Sequence, residues 1–129
     1  MKVFILVDNK GGRMFFGKRQ SRDSLLIEDV LKTVGEESLY ITPYSAPLFE
    51  GAAVETESFP SDGYFFNETL PLKEDIEKID TLIVYKWNRD YPADFYLDID
   101  PKAEGFTLSE TSEFSGSSHE KITKEIYIR

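Results

Sequence analysis

The stretch best equipped to meet a ligand is GRMFFGKRQSR, residues 12–22. Four cations (Arg13, Lys18, Arg19, Arg22) and two aromatics (Phe15, Phe16) stand immediately before a helix start. The first turn of a helix carries unpaired N–H groups and partial positive charge, so an anion placed there is favoured twice over. Arg19 and Arg22, with Lys18 alongside, can grip a phosphate bidentately. Phe16, with Phe15, stacks a base if it is exposed. The expected ligand site is therefore Lys18, Arg19, Arg22 and Phe16. The expected partner is a small anionic ligand or nucleotide, with nucleic acid a weaker expectation. The same residues also fit a solvated loop whose phenylalanines belong to the core.

Three other stretches carry chemistry-bearing side chains. Trp87–Asp94 (WNRDYPAD) is polar and aromatic and follows a strand. It fits a pocket lining. It also fits a structural turn in which Asn88 or Asp90 bonds local backbone, Arg89 pairs with a neighbouring acid and Trp87 packs. Asp94, Asp98 and Asp100 share one face if extended, but they lack the spacing, glycine and distant glutamate of a calcium loop. They read as acidic surface, and no metal site is expected. Residues 116–120 (GSSHE) hold the lone histidine. A serine nucleophile needs a histidine and an orienting acid converging on it. Neighbours in a strand point to opposite faces, which leaves Ser118 badly placed for His119. The expectation is a hairpin-loop histidine bonded to backbone, and no catalytic residue is nominated. One histidine and no cysteine exclude histidine-cluster mechanisms, disulfides, thiolate metal sites and thiol catalysis.

Composition sets the frame for these residues. The chain has 129 residues, 40% hydrophobic, 14% aromatic and 30% charged, with a formal net charge of -9. That is one domain, residues 1–129, too apolar to be disordered and too charged for a membrane protein. The charge is uneven. Residues 1–22 carry six cations and one anion, a net of +5, and the rest carry nine cations and 23 anions, a net of -14. Such a basic arm on an acidic body fits an anion site, and equally a solvated loop paired with that body. The apolar run after Met1 is too short for a signal-peptide core, and nothing approaches the roughly 18–20 apolar residues of a membrane span. A cytoplasmic location is expected.

The elements that position these residues follow from pattern. Val3–Val7 is a continuous apolar run, the mark of a central strand buried on both faces. Asn9–Arg22 reads as a loop punctuated by Gly11-Gly12. Asp23 or Ser24 caps a helix to about Val34, with Leu26, Ile27, Val30, Leu31 and Val34 on one face and Gly35 as its stop. Further strands are expected at Ser38–Thr42, Ala53–Glu57 (an edge), Gly63–Asn67, Thr81–Trp87, Phe95–Ile99, Phe106–Glu110 and Ile122–Ile128, with a helical turn or two in Leu72–Lys78. The Ser/Gly loop Phe114–His119 joins the last pair into an antiparallel hairpin. The expected fold is α/β. It is a mixed, mostly parallel sheet with a C-terminal antiparallel hairpin and one main flanking helix.

Two resemblances attach to particular segments. Residues 79–85 (IDTLIVY), 98–101 (DIDP) with 106–109 (FTLS), and 125–129 (EIYIR) resemble the later strands of the dihydrofolate reductase fold. Val3–Asp8, followed by a glycine loop and a helix, resembles its opening. The resemblance implies a truncated version of that fold. The family's Gly-Gly pair, which admits a nicotinamide cofactor, is replaced here by Asn67-Glu68 after the strand at 64–66. The family's adenosine-binding half would fall between Tyr44 and Gly63, where length is missing. A helix acid contacts substrate in that family, and Asp23 and Glu28 are the nearest candidates. No cofactor is therefore expected, and nicotinamide-dependent reduction is not. KRQSRD, KWNRDYPADFYLDID and GSSHEKITKEIY also resemble a small group of uncharacterised bacterial proteins that carry the label ribonuclease Z. A two-metal ribonuclease site needs several histidines, and one histidine cannot supply it. The reading is an anion- or nucleotide-binding protein. A ribonuclease-like or other hydrolytic enzyme is one alternative. A homo-oligomeric module, a homodimer built on an exposed sheet edge, is the other.

Overall fold

Uninterrupted apolar character at the N-terminus places that segment in the middle of the sheet. The computed structural model describes all residues, 1–129. β1 (Lys2–Val7) is followed by β2 (Gly12–Phe15), β3 (Lys18–Arg19), α1 (Ser24–Val34), β4 (Leu39–Ile41), α2 (Ala46–Phe49), β5 (Val54–Glu55) and β6 (Tyr64–Phe66). Then come β7 (Thr81–Lys86), β8 (Phe95–Tyr96), β9 (Thr107–Phe114) and β10 (Ile122–Ile128). Short 3-10 turns occupy Pro43–Ser45 and Lys73–Lys78. The main sheet has the order β5-β4-β6-β1-β7-β10-β9. Its first five strands are parallel, and β10 and β9 close it as an antiparallel hairpin. The mixed α/β fold read from pattern is the fold of the protein.

Side-chain alternation along β1 splits the core. Phe4 faces one side, against Leu26, Val30 and Val34 of α1. Val3, Ile5 and Val7 face the other, against Phe65, Leu72, Leu82 and Val84. Val3, Phe4 and Ile5 are fully buried, as expected of a strand covered on both faces. α1 begins and ends where local chemistry says it must. Asp23 caps it, accepting from the Leu25 and Leu26 N–H groups. Gly35, at φ +61°, ends it and returns its N–H to the Leu31 carbonyl. No helix is long and apolar enough to cross a membrane.

The stretch 9–22 is not the plain loop its glycines suggest. β2 and β3 form a hairpin, Met14 opposite Arg19 and Phe15 opposite Lys18, and β8 extends it into a second, three-stranded sheet. The tip residues Phe16 and Gly17 both have positive φ, 51° and 69°, as a two-residue turn matching strand twist requires. Phenylalanine is an unusual choice for that position, so the hairpin is hidden from pattern reading. β9 is longer than expected and forms the outer edge. Its Ser, Thr and Glu residues are exposed almost throughout, a composition that blunts an open edge against pairing.

Candidate functional site

Parallel strands deliver the residues that follow them to one end of the sheet. Leu6 near the end of β1, Glu68 after β6 and Trp87 after β7 converge there. α1 and α2 flank the same end. Between them lies a cleft of about 470 Å³. One wall is apolar, from Leu6, Leu26, Ile27, Leu31, Leu48 and Phe49. The other is hydroxylic, from Ser21, Ser24, Ser117 and Ser118, with Arg22 and Glu50 adding charge.

The serine wall is organised by a buried carboxylate. Besides capping α1, Asp23 accepts from the Ser117 N–H and hydroxyl at 2.9 and 3.1 Å and from the Ser118 N–H at 2.9 Å. His119 Nδ1 lies 2.9 Å from Oδ2, the oxygen that also accepts from Ser118. Both side chains are all but sealed from solvent, at 1% and 0% exposure. Burial works to raise the Asp23 pKa, but hydrogen bonds from Ser118, His119, Ser117 and Leu26 outweigh it, and the group sits far below the usual carboxylate range. An ionised Asp23 only accepts, so Nδ1 is the donor, and in the tautomer this selects Nε2 carries the lone pair. At that nitrogen stand the Ser21 hydroxyl, 3.1 Å away, and the Tyr91 hydroxyl, 3.0 Å away. Trp87 stacks on the ring at 4.5 Å. Gly116 sits so close to Asp23 that any Cβ there would collide with the carboxylate.

A second buried polar cluster lies at the end of β6. Glu68, 6% exposed, receives Arg19 Nε and Nη2 at 2.9 Å each and the Ser45 hydroxyl at 2.7 Å. The Arg19 guanidinium also lies 4.5 Å over the Tyr44 ring. The Glu68 hydrogen bond raises the Arg19 pKa, and burial opposes it. Arg13, 5% exposed, donates to the Asn67 carbonyl at 2.8 Å and the Leu70 carbonyl at 2.9 Å, above the Phe95 ring. Burial lowers its pKa to about 10, against the pull of Asp98 and Glu68.

Of the four ligand residues singled out from sequence, Phe16, Lys18 and Arg19 border one groove, and Arg22 lines the main cleft instead. Arg19 spends its charge on Glu68. Phe16, 77% exposed, and the exposed Lys18 border that shallow groove beside Tyr91 and Pro92. Arg22 alone of the four lines the main cleft without an ion pair. His119 corrects its reading outright. Its ring bonds the side chains of Asp23, Ser21 and Tyr91, not backbone, and the serine at Nε2 is Ser21, not its neighbour Ser118. Asn88 bonds across to the Lys121 carbonyl and Thr123 hydroxyl rather than locally, while Trp87 packs as expected. The three aspartates disperse. Asp94 accepts from Phe16, Asp98 from Leu72 and Lys73, and Asp100 from Lys102. No group of three or more His, Asp or Glu converges as a metal centre. The Ser21–His119–Asp23 contact, which spans 96 and 98 positions along the chain, had no sequence signal beyond the lone histidine and the capping aspartate.

With this geometry in hand, comparison with known proteins gives a fold and nothing finer. No protein-family model matches the chain, and no curated protein matches it in sequence. Among solved structures it is similar to a dihydrofolate reductase from Enterococcus faecalis, determined in complex with NADP(H) and RAB-propyl, at TM-score 0.71. The identity is 12%, and the match covers 99% of this chain and 95% of that one. The protein has a dihydrofolate-reductase-like fold.

Proposed function

We propose that the protein binds a small molecule in the cleft between α1 and α2, and that the ligand has an apolar body and a hydrogen-bonding or singly anionic end. The observation that carries this reading is the cleft itself. It is of ligand size, opens at the carboxyl ends of parallel strands, and has one apolar and one hydroxylic wall. Arg22 can meet one anionic group at the mouth, while Glu50 and the closed Arg19–Glu68 pair disfavour a highly charged ligand.

The residues at the end of β6 do not fit the dinucleotide that the fold family takes. Pyrophosphate needs open backbone N–H groups and no Cβ in the way. Here Asn67 is fully buried and bonds its own turn at Leu70. Glu68 puts a carboxylate at the next position, and the Arg13 guanidinium occupies the carbonyls beside them. This supports a binding function without a nicotinamide cofactor.

Amide-resolved titration tests the reading. Small aryl and aliphatic compounds with a carboxylate, ester or amide end should shift Ser21, Ile27, Leu48 and Ser118. Ile27→Trp, which fills the cleft, should abolish those shifts in a folded protein. NADPH should leave Asn67 and Glu68 unmoved. A dinucleotide seated at Asn67, or no compound shifting the cleft, overturns the proposal.

A further inference from the structure

We propose that Ser21 is a nucleophile, activated by His119 and Asp23, and that the protein hydrolyses small carboxylic esters in the cleft; this rests on the cleft's binding a small molecule. The geometry is that of a serine–histidine–acid relay. Asp23, held ionised by its hydrogen bonds, fixes Nδ1 of His119 as the donor at 2.9 Å. Nε2 then faces the Ser21 hydroxyl at 3.1 Å, with the Tyr91 hydroxyl also at that nitrogen. Trp87 stacked on the ring stops it turning. Ser21 is half-buried and lines the cleft beside Asp23, whereas His119 lies outside the lining, and the Asp23 and His119 side chains are both shielded from water.

The reaction closes on groups the chain supplies plus water. Ser21 Oγ attacks the ester carbonyl carbon and its proton passes to Nε2. The tetrahedral intermediate expels the alcohol oxygen, which takes that proton and leaves as alcohol. Water then attacks the acyl-Ser21 carbonyl, giving its proton to Nε2. Cleavage of the acyl–Oγ bond releases the carboxylic acid and returns the proton to Ser21. The backbone N–H groups of Ser21 and Arg22 donate to no acceptor inside the protein, and so remain free to meet an oxyanion. Leu26, Ile27 and Leu31 favour an aliphatic or aryl substituent over a charged one. Tyr91 shares Nε2 at 3.0 Å, and its hydroxyl competes with Ser21 for the lone pair.

A fluorophosphonate probe and p-nitrophenyl butyrate test the assignment on the full chain. Intact-mass and peptide analysis should place one phosphonyl adduct on Ser21, with loss of fluoride. Ester turnover should fall at least roughly a hundredfold in Ser21→Ala, whose fold is checked by circular dichroism. Tyr91→Phe, which removes the competing hydroxyl, should keep the adduct on Ser21 and raise the turnover. An adduct on Tyr91 or nowhere, or turnover unchanged in Ser21→Ala, overturns the proposal. A butyrate amide that shifts the cleft amides while Ser21 stays unlabelled sinks hydrolysis and leaves ligand binding standing. Labelling of Ser21 with no cleft shifts from any neutral probe upholds the nucleophile and sinks the binding reading.

Discussion

Two buried polar clusters sit at the same end of the sheet and behave in opposite ways. At the end of β6, Arg13, Arg19, Glu68 and Asn67 turn inward on one another and on backbone carbonyls. That cluster is a plug. At the start of α1, Asp23 and His119 are buried as deeply, yet they end in Ser21, a hydroxyl on the cleft wall. The first cluster takes Arg13 and Arg19 out of the basic arm, and the second contains almost none of the charge. Formal charge is therefore a poor guide to where this molecule meets a ligand. A buried charge must find a partner, and Arg13 and Arg19 of the basic arm find theirs inside.

Breaking each cluster should show the difference. Asp23→Ala should cost most, about 3–5 kcal/mol in denaturant unfolding, because it removes a helix cap and leaves several buried donors unpaired. The milder Asp23→Asn reads out the charge. The folded Asp23 pKa lies below its ordinary 3.8, so the unfolded chain takes up the proton first. The carboxylate's contribution is whole near neutrality and is lost as pH falls below about 5 toward the folded value. Asp23→Asn should flatten that acid limb, and an unchanged limb would count against an ionised Asp23. Arg19→Ala comes next, at about 3 kcal/mol, since Glu68 is left buried and unpaired. Glu68→Ala should cost less, because Arg19 is partly exposed and water can reach it. Equal losses from the two would break the plug description. Gly116→Ala should cost about 2 kcal/mol by pushing the 116–119 loop off Asp23, read as a lower melting temperature with selective amide shifts at Ser117–His119. Phe16→Asn is the smallest effect. It should stabilise by about 0.5 kcal/mol, since Asn tolerates the left-handed backbone better, and it should leave cleft binding unchanged. Loss of binding in that variant would return the hairpin tip to the ligand site.

Much of the scaffold is written locally. β1 reads as central because an unbroken apolar run tolerates burial on both faces. α1 reads correctly at both ends because Asp23 and Gly35 act on backbone groups within four residues. The hairpin of β2 and β3 escapes because its turn is Phe16-Gly17 and its strands carry basic residues that pattern assigns to solvent. Arg13 is the sharpest case. Nothing around it in the chain announces that it will be 5% exposed beneath β6.

Residue order along the chain decides period, capping and turn geometry, since these depend on neighbours a few positions away. It also limits the chemistry by what it omits, with no thiol and a single imidazole. Which arginine is spent on which glutamate, and which serine meets that imidazole, depends on strand order bringing residues 19 and 68, or 21 and 119, side by side. Those pairings pass through the parallel crossings of the sheet. They exist only once the chain has packed, because burial and hydrogen-bond satisfaction select partners in space and not along the sequence.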